Sequence, residues 1–410
     1  MDYIQRVTSD IYWVGGSDRR LALFENMFPL ENGVTYNAFV ILDDKTALVD
    51  TVDNAIRQQF FENLHAALGE RPLDYLIINH MEPDHCAHIA DICRIWPDVK
   101  IVGNPKTFQM IRQFYNIDLT GRAVEVKEGE ELCLGQYMLR FYMAPMVHWP
   151  EVMFTYETTQ NILFSADAFG TFGGFTGNLF SDELDYQSLY MDESRRYYTN
   201  IVGKYGPQVL AALSKLSDQK TSLICPLHGP VLRGNDISVM MEKYVCWASY
   251  RPEKAGVALF YASMYGNTEA AVNRLAGLLN QKGVRDLQVY DVSKTHYSTL
   301  IARAFQYSHL VLASPTYNMH LYPAMDFFVN DMANLNLQNR RVAVIGNGSW
   351  APAAHTLLQK KMTEMKNMEL IAPPLVIRSA MKPEQEAELE DMAQKLAASV
   401  KREAAAVIGG

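Results

Sequence analysis

The sequence lacks the features that mark membrane, secreted and nucleic-acid-binding proteins. No apolar run approaches the roughly 20 residues that a membrane-spanning helix needs. The N-terminal stretch MDYIQRVTSDIYWVGG has early acidic residues and no apolar core, which does not fit a signal peptide. No block of Lys and Arg occurs, and the net charge of −9 argues against general nucleic-acid binding. We therefore expect neither a membrane nor a nucleic acid among the partners.

Cysteine is scarce, and its spacing gives no sign of a rubredoxin-like site. The five cysteines form no C-x-x-C pair, which such a site would need. An odd number also suits a reducing cytosol better than a framework of disulfides. The sequence therefore predicts a cytoplasmic location.

The chain is long enough for two or three domains, and its pattern changes once. The 410 residues are 49% hydrophobic and 20% charged, as in ordinary globular proteins. Up to about residue 250, short strand-like runs alternate with helical stretches such as Asn54–Leu68 and Tyr186–Lys215, which indicates sheets layered with helices. A polar hinge at Arg251–Lys254 follows. We expect domains at residues 1–250 and 251–410.

The second half alternates strands and helices strictly. The apolar runs VALFYAS, LQVYDVS, HLVLASP, RVAVIGNG and PLVIRS are each followed by a helical stretch. Near-continuous apolar strands separated by helices indicate a parallel sheet that is covered on both faces. About 150 residues with this rhythm predict a doubly wound α/β domain with five parallel strands.

The segment NHMEPDHCAH concentrates histidines and acids just where the apolar run LDYLIIN ends. A polar loop with helix-capping acids explains any one of these residues, but it does not explain the whole cluster. Three more residues of the same chemical kinds follow apolar runs and precede turns rich in Pro or Gly. Imidazole and carboxylate groups are ligands for borderline-hard metal ions. The candidate metal ligands are His80, Glu82, Asp84, His85, His148, Asp167 and His228.

The segment FYASMYGNTE predicts a phosphate cradle in the second half. A strand ends there, small and hydroxyl residues follow, and a helix begins, so helix N–H groups and hydroxyls are available to an anion. The loop lacks the Lys of a nucleoside-triphosphate loop and the G-x-G-x-x-G of a dinucleotide site. The alternative is a capped helix without a ligand.

Two further loops support a ligand, because open parallel sheets bind ligands at the carboxyl ends of their strands. SPTYNMHLYP follows the third strand, and GNGSWAP follows the fourth. Either Tyr317 or Trp350 stacks on a ring of the ligand, or both are ordinary packing. The candidate binding residues are Ser263, Met264, Tyr265, Gly266, Asn267, Thr268, Ser314, Pro315, Thr316, Tyr317, Asn318, Gly346, Asn347, Gly348, Ser349 and Trp350.

These motifs together resemble those of flavodiiron proteins, over nearly the whole chain. HMEPDH, with the histidines and the aspartate that follow, resembles the metallo-β-lactamase fold, and the second half resembles flavodoxins. Hydrolases of the metallo-β-lactamase superfamily mostly read H-x-H-x-D-H and bind zinc. Here Glu82 replaces the second His, which favours iron. The resemblance therefore implies an αββα sandwich followed by a flavodoxin-like domain.

The same resemblance assigns roles to the candidate residues. It implies one iron on His80, Glu82 and His148, a second iron on Asp84, His85 and His228, and Asp167 as the bridge between them. It implies FMN in the three loops of the second domain, and no catalytic residue beyond the metal ligands. Trp149 either shields the site or belongs to the core, and Cys86 and His88 have structural roles. Tyr197 and Tyr198 are further candidates for reaching the site.

The implied activity is the reduction of O₂ to water, of NO to N₂O, or of both. One electron from each iron and two from FMN balance O₂ + 4e⁻ + 4H⁺ → 2 H₂O, and 2 NO + 2e⁻ + 2H⁺ → N₂O + H₂O needs half as many. The ligand set leaves the choice between O₂ and NO open. No rubredoxin-like or reductase extension is recognised, so we expect a two-domain form with an external electron donor, such as rubredoxin or a reduced deazaflavin coenzyme. The resemblance also implies a head-to-tail homodimer or a dimer of dimers.

Two other functions remain as alternatives. One is a binuclear zinc hydrolase fused to a flavodoxin-like domain, in which a metal-bound hydroxide attacks an ester or amide. Glu82 and the flavin loops weigh against it, because hydrolysis needs neither a redox metal nor a flavin. The other is an electron carrier whose first domain is a metal-free scaffold. The complete set of seven ligand-type residues weighs against that reading.

Overall fold

The chain divides into two compact units, Met1–Val245 and Cys246–Gly410. The computed structural model describes residues 3–408. Met1, Asp2, Gly409 and Gly410, which the expected domains include, lie outside the described residues. The polar hinge expected between the domains lies near the start of the second unit.

The first unit is built mainly from short strands. In chain order they are β1 (Gln5–Arg6), β2 (Ile11–Trp13), β3 (Gly16–Asp18), β4 (Leu23–Phe24), β5 (Phe28–Pro29), β6 (Val34–Tyr36), β7 (Phe39–Leu42), β8 (Thr46–Val49), β9 (Tyr75–Ile77), β10 (Lys100–Gly103), β11 (Ala123–Glu125), β12 (Glu131–Cys133), β13 (Met138–Met143), β14 (Met153–Glu157), β15 (Ile162–Phe164), β16 (Leu223–Cys225) and β17 (Leu232–Arg233). The α-helices are α1 (Arg57–Leu68), α2 (Pro83–Cys86), α3 (Ile89–Ile95), α4 (Pro105–Phe114), α5 (Tyr186–Leu189), α6 (Met191–Tyr197), α7 (Gly206–Lys215) and α8 (Asn235–Ala248), which runs across the division between the units.

These strands form two packed sheets. One has the order β1-β2-β7-β8-β9-β10-β11, and the other has the order β12-β13-β14-β15-β16-β17. Their facing sides share one apolar core, to which β7, β8 and β9 contribute Ile41, Val49 and Ile77, while β13 and β15 contribute Phe141 and Phe164. This packing is the sandwich that the sequence predicts. In it, β8 is parallel to β9 and β15 is parallel to β16, so the loops after each pair leave from one edge of a sheet.

The predicted helical stretch Tyr186–Lys215 is not one continuous helix. It comprises α5, α6, a π-helical turn at Tyr198–Val202, a 3₁₀ turn at Gly203–Tyr205, and α7. Gly203, Gly206 and Pro207 explain the interruption, because glycine weakens a helix and proline removes a backbone donor. The breaks let consecutive buried side chains of this stretch face different parts of the first unit.

The second unit is a sheet covered by helices. Its strands are β18 (Lys254–Tyr261), β19 (Leu287–Asp291), β20 (Tyr307–Tyr317), β21 (His320–Leu321), β22 (Arg340–Asn347), β23 (Met368–Leu370) and β24 (Leu375–Ile377). The sheet is parallel except for the short β21, which pairs antiparallel with β20. Its helices are α9 (Asn267–Gln281), α10 (Tyr297–Gln306), α11 (Pro323–Asn334), α12 (Ala354–Glu364) and α13 (Pro383–Ile408). The order β19-β18-β20-β22-β23 is the doubly wound order with its switch point beside the first strand.

One detail of this sheet differs from the sequence prediction. The fifth position is divided between β23 and β24, and both pair in parallel with β22. Each face of the sheet has its own core. Phe260 packs with Leu300 of α10 and Phe328 of α11 on one face, while Leu259 packs with Leu275 of α9 on the other. The five-position parallel sheet covered on both faces is therefore confirmed. Among the described helices, none combines the length and the apolar character that crossing a bilayer requires.

Candidate metal centre

The seven candidate ligands all follow strands of the first unit. The segment from His80 to His85 follows β9, and His148 lies between β13 and β14. Asp167 follows β15, and His228 follows β16. Because β15 and β16 are parallel, the last two residues leave the same edge of their sheet. The structure brings these loops together in two groups of ligand-type side chains.

The first group contains His80, Glu82, His148 and Asp167, with one donor atom from each lying within 4.8 Å of all the others. Glu82 Oε2 is 3.2 Å from His80 Nε2 and 3.0 Å from His148 Nε2. Two donors that are each about 2.1 Å from one ion lie about 3.0–3.4 Å apart at the bond angles of common geometries. The spacing in this group is therefore that of atoms sharing one metal ion.

The second group contains Asp84, His85 and His228. Asp84 Oδ2 is 3.3 Å from His85 Nε2 and 3.4 Å from His228 Nε2. The two imidazole Nε2 atoms are 3.0 Å apart. His228 Nδ1 donates to the backbone oxygen of Thr35 at 2.7 Å, so its Nε2 presents a lone pair. A cation between these nitrogens satisfies both lone pairs.

Asp167 connects the two groups through its two oxygens. Oδ2 is 3.4 Å from His80 Nε2 and 3.2 Å from His148 Nε2, on the side of the first group. Oδ1 is 3.2 Å from His85 Nε2 and 3.7 Å from His228 Nε2, on the side of the second. A carboxylate placed in this way can bind one ion with each oxygen. The geometry therefore fits a two-ion centre.

Buried oxygens without hydrogen-bond donors support the same reading. Both carboxylate oxygens of Asp84 and the Oδ1 atom of Asp167 are buried and accept no hydrogen bond. An uncompensated buried carboxylate is costly, so such oxygens indicate a cation as their partner. The donor set of imidazoles and carboxylates, with no thiolate, fits iron.

The electrostatics of the pocket favour positive charge. Burial alone lowers the pKa of His148, but hydrogen bonds to Asp167 and Glu82 outweigh it and raise that pKa to about 9. Burial opposes ionisation of Asp167, yet His80 and His85 hold its pKa well below the ordinary value. The field that favours a proton on the imidazole also favours a divalent cation.

Other residues hold the ligands in position, and the sequence patterns did not reveal them. Glu151 is fully buried, and its Oε1 atom accepts from His80 Nδ1 and from Met81 N, both at 2.8 Å. Asp50 Oδ1 accepts from His80 N at 3.2 Å, and burial raises the pKa of Asp50 to about 7. A carboxylate on the far nitrogen of a ligand histidine fixes its tautomer and strengthens it as a ligand.

A short hairpin, β4-β5, covers the second group. Phe24 packs edge-on against the His228 ring at 5.3 Å. The next residue, Glu25, has a left-handed backbone with φ of 49° and lies at the tip of the hairpin. Glu25 as a whole is exposed, but partial burial of its carboxyl among protein atoms, together with the negative charge of Glu82, raises its pKa to about 8. Nothing in the spacing of the sequence marks Glu25 as a neighbour of the site.

The remaining residues singled out around the motif lie at different distances from the two groups. The half-buried Trp149 ring is 5.4 Å from the His80 ring and 6.2 Å from the His148 ring. His88 stacks on Phe60 at 5.7 Å, and Cys86 is buried with its Sγ atom 3.2 Å from Met81 O. Among the described residues, neither His88 nor Cys86 belongs to a ligand group.

In the second unit, a cavity of about 320 Å³ lies at the carboxyl ends of the strands. Most of the predicted residues line it, namely Ser263, Met264, Tyr265, Asn267, Thr268, Pro315, Thr316, Asn318, Asn347, Gly348, Ser349 and Trp350. Helix α9 begins at this cavity, and no side chain caps its N-terminus, so its first N–H groups are available to a phosphate. The lining contains no charged side chain, as expected for a phosphate that is held by hydroxyls and amides. The cavity therefore fits FMN.

Four predicted binding residues do not line the cavity. Gly346 is buried against His355, Gly266 begins α9, and the hydroxyl of Ser314 is bonded to Pro315 O. The Tyr317 ring contacts Tyr322 instead of the cavity. The aromatic side chain at the cavity is thus Trp350, together with Tyr265.

Three further residues line the cavity and were not predicted: Met319, Ala351 and Ser379. Ser379 follows β24, and it exchanges two hydrogen bonds with the Asn347 side chain, at 2.9 and 3.1 Å. The rule that ligands bind where parallel strands end would have found Ser379, because PLVIRS is the fifth strand of the sequence pattern.

Comparisons with known proteins agree with both halves of this description. Residues 34–229 match the model of the ODP family beta lactamase, and residues 259–390 match that of flavodoxin. A nitric oxide reductase of Moorella thermoacetica is 32% identical over 90% of this chain and 91% of that protein. An anaerobic nitric oxide reductase flavorubredoxin of Vibrio vulnificus is 28% identical over 87% of this chain and 72% of that protein.

Solved structures give the same result. The rubredoxin oxygen:oxidoreductase of Desulfovibrio gigas superposes with a TM-score of 0.91 at 27% identity, covering 98% of this chain and 99% of that one. The flavodiiron protein of Giardia intestinalis has the same fold, with a TM-score of 0.91 at 21% identity and 98% coverage of both chains. The expected succession of a metallo-β-lactamase-like and a flavodoxin-like domain is confirmed. The chain belongs to the flavodiiron protein family.

Proposed function

We propose that this protein reduces O₂, NO or both at a non-haem diiron centre, with electrons supplied through FMN. The observation that carries the proposal is Asp167, whose two oxygens face two separate groups of ligand-type side chains. The proposed ligands are His80, Glu82 and His148 for one iron, and Asp84, His85 and His228 for the other. When bound, the irons and the flavin supply the electrons, one from each iron and two from FMN.

The side chains have separate tasks in this proposal. Glu151 orients His80 by accepting its Nδ1 proton, and the Thr35 carbonyl orients His228 in the same way. Phe24 and Trp149 pack against ligand rings and limit the access of water. The carboxyl of Glu25 lies beside the carboxylate of Glu82 and is exposed, so it can exchange a proton with water at this edge of the site. Water formation consumes protons, so a group that releases one at this edge suits the reaction.

The substrates and the electron donor follow from what the relatives are named for. Nitric oxide reductases, flavorubredoxins and a rubredoxin oxygen:oxidoreductase are among them. We propose a small external donor of the rubredoxin type, with a reduced deazaflavin coenzyme as the other candidate. We also propose a cytoplasmic location, which the free thiols of Cys86, Cys93, Cys133 and Cys225 support.

We propose in addition a head-to-tail homodimer, or a dimer of such dimers, in which the flavin of one subunit faces the metal centre of its partner. Large apolar side chains at the flavin cavity support this arrangement. Met264, Tyr265, Met319 and Trp350 are 44%, 90%, 58% and 86% exposed. A cluster of exposed aromatic and thioether groups is typical of a surface that is covered in an assembly.

The first test is the metal and flavin content of protein purified without oxygen, followed by assays of O₂ and NO consumption. The proposal predicts two irons and one FMN per chain, and consumption of at least one of the two gases with a reduced donor. Two zinc ions and no flavin, in protein expressed with ample iron, would contradict it and favour the hydrolase. Two irons and a flavin with no consumption of either gas would contradict the proposed reaction while leaving the cofactors in place.

A further inference from the structure

Five tyrosines of the first unit form a buried row beside the metal centre. Their side chains are between 0% and 6% exposed. We call them the tyrosine row, and they are Tyr197, Tyr198, Tyr244, Tyr186 and Tyr190. None of them is one of the proposed metal ligands, and the reaction described above does not use them.

The row begins at a ligand, and ring contacts, chain adjacency and electrostatic proximity link its members. The Tyr197 ring is 5.5 Å from the ring of His228. Tyr198 follows it in the chain and packs against Tyr244 at 4.9 Å. Tyr244 also lies close enough to Tyr197 and to Tyr186 for the phenols to interact electrostatically. Tyr186 stacks on Tyr190 at 5.6 Å with ring planes 17° apart.

The far end of the row reaches a second cavity. Tyr190 lines a cavity of about 260 Å³ that is open toward solvent, together with Arg19, Glu31 and Glu193. The row therefore joins a buried ligand of the metal centre to a place where small solutes can enter.

Packing alone does not explain why these positions are tyrosines. The Tyr197 hydroxyl is fully buried and has no hydrogen-bond partner among the residues that the structure describes. A buried polar group without a partner costs about 1–3 kcal/mol, which phenylalanine of nearly the same shape would avoid. Phenylalanine occupies neighbouring buried positions, including Phe24 and Phe172, which both pack on Tyr197. A phenol differs from a phenyl ring chiefly in that it is readily oxidised by one electron.

We propose that the tyrosine row carries oxidising equivalents away from the metal centre when reduction of O₂ begins with too few electrons. This inference rests on the proposed function. O₂ needs four electrons to become water, and a chain holding only two is left with an oxidising centre next to its own histidines. Tyr197 would then give one electron and its phenolic proton to the oxidant that the bound irons would hold, and would become a neutral radical.

The radical next moves along the row by the same exchange. Each tyrosine gives one electron and one proton to the radical before it, so the hole passes from Tyr197 to Tyr190 with no net change in between. At the second cavity a small thiol restores Tyr190 by donating a hydrogen atom, and two thiyl radicals combine to a disulfide. Burial raises the pKa of Tyr197 and Tyr244 well above the ordinary value, so the phenols stay neutral and each transfer involves both a proton and an electron.

The experiment uses the holoprotein with iron and FMN bound, grown with ring-deuterated or ordinary tyrosine. The protein is reduced with two electrons per chain, mixed with O₂ and frozen within milliseconds for electron paramagnetic resonance. We expect a radical signal whose lines are narrower in protein that contains deuterated tyrosine. The signal of a flavin radical would not narrow in this way. The Tyr197→Phe variant should lose most of this signal, and peptide mass spectrometry should find several-fold more oxidation of His85 and His228.

Tyr36→Phe is the matched control, because Tyr36 lies 5.7 Å from the His228 ring but is not part of the row. Its radical yield should equal that of the unchanged protein. The inference fails if the unchanged protein gives no tyrosyl signal. It also fails if Tyr197→Phe changes neither that signal nor the extent of His85 and His228 oxidation. Assays of O₂ and NO consumption with excess reductant separate the two proposals. Gas consumption in those assays, together with no tyrosyl signal in the experiment with two electrons per chain, overturns only the row. No consumption of either gas overturns the proposed function itself.

Discussion

At the scale of single residues, the identity of one side chain separates this metal site from those of the related hydrolases. Glu82 stands where most hydrolases of the superfamily carry a histidine, and its Oε2 atom lies near two imidazoles at once. A carboxylate adds negative charge and an oxygen donor, and both favour an iron site over a zinc site. We therefore expect the choice of metal to depend on this position.

We expect the Glu82→His variant to bind less iron and more zinc, and to consume O₂ or NO much more slowly. The physical reason is the loss of one negative charge and one oxygen donor from the first group. Metal content after purification in medium containing both metals would measure the change. Full activity with two irons bound would show that Glu82 does not determine the metal.

The second residue-scale prediction concerns Glu151, which contacts a proposed ligand without reaching the ion. Because Glu151 holds the Nδ1 proton of His80, its replacement by Gln removes the charge that strengthens His80 as a ligand. We expect Glu151→Gln to weaken iron binding roughly 10–100-fold, as is typical for such outer carboxylates. Competition with a chelator gives the affinity directly.

Glu157→Gln is the matched control for that experiment. Glu157 is equally buried and lies on the neighbouring strand β14, but its carboxylate accepts from the backbone of Thr159 and Gln160. The control should keep its iron even if it loses some stability. Equal iron affinity in the Glu151 and Glu157 variants would contradict the proposed role of Glu151 in orienting His80.

At the scale of secondary-structure elements, one rule explains which parts of the fold and of the site could be predicted from the sequence. The rule is that functional side chains lie in the loops that follow strands. The ligand-type residues were visible because histidines and acids directly after apolar runs are chemically unusual. Glu151 and Glu25 were not visible, because each is a single acid in a loop and meets its partner only through the tertiary fold. The same limit applies to the division of the fifth strand and to the breaks in Tyr186–Lys215, which depend on packing as well as on local pattern.

Strand β20 carries a buried histidine that makes the stability of the second unit depend on pH. His309 is fully buried, and this burial, with Arg341 and Arg402 nearby, lowers its pKa to about 3. In the unfolded chain a histidine has a pKa of about 6.5, so between these values the unfolded state binds the extra proton. Stability is therefore complete above about pH 6.5 and falls as the pH decreases. The expected loss from this group between pH 7 and pH 5 is about 2 kcal/mol.

The His309→Gln variant should lack this pH-dependent loss of stability. Hydrogen-exchange protection of amides in β18, β20 and β22, compared between the variant and the unchanged protein at each pH, isolates the contribution of one group. The exposed His320 of the same unit provides the control, because His320→Gln replaces a histidine without disturbing a buried position. Parallel profiles for His309→Gln and the unchanged protein would mean that His309 takes up its proton in the folded state.

At the scale of the whole molecule, the proposed dimer predicts that two different inactive variants can restore activity when they are combined in one dimer. Asp167→Asn removes the bridging carboxylate and leaves the flavin cavity untouched. Ser263→Glu places a negative charge where the phosphate of FMN is expected, at the start of α9, and leaves the metal ligands untouched. Each variant should be inactive by itself, because one lacks a working metal centre and the other lacks a working flavin.

Mixed dimers of the two variants should recover about half of the activity of the unchanged dimer. In a head-to-tail arrangement the intact flavin of the Asp167 variant faces the intact metal centre of the Ser263 variant, and the other pair is doubly defective. Co-expression with two different affinity tags yields the mixed species, and gas consumption with a reduced donor measures it. If electrons instead passed from the flavin to the metal centre of the same chain, every mixed dimer would be inactive, because each chain carries one defect. Recovery of activity therefore requires transfer between subunits, and its absence in dimers that are verified to be mixed would contradict the arrangement.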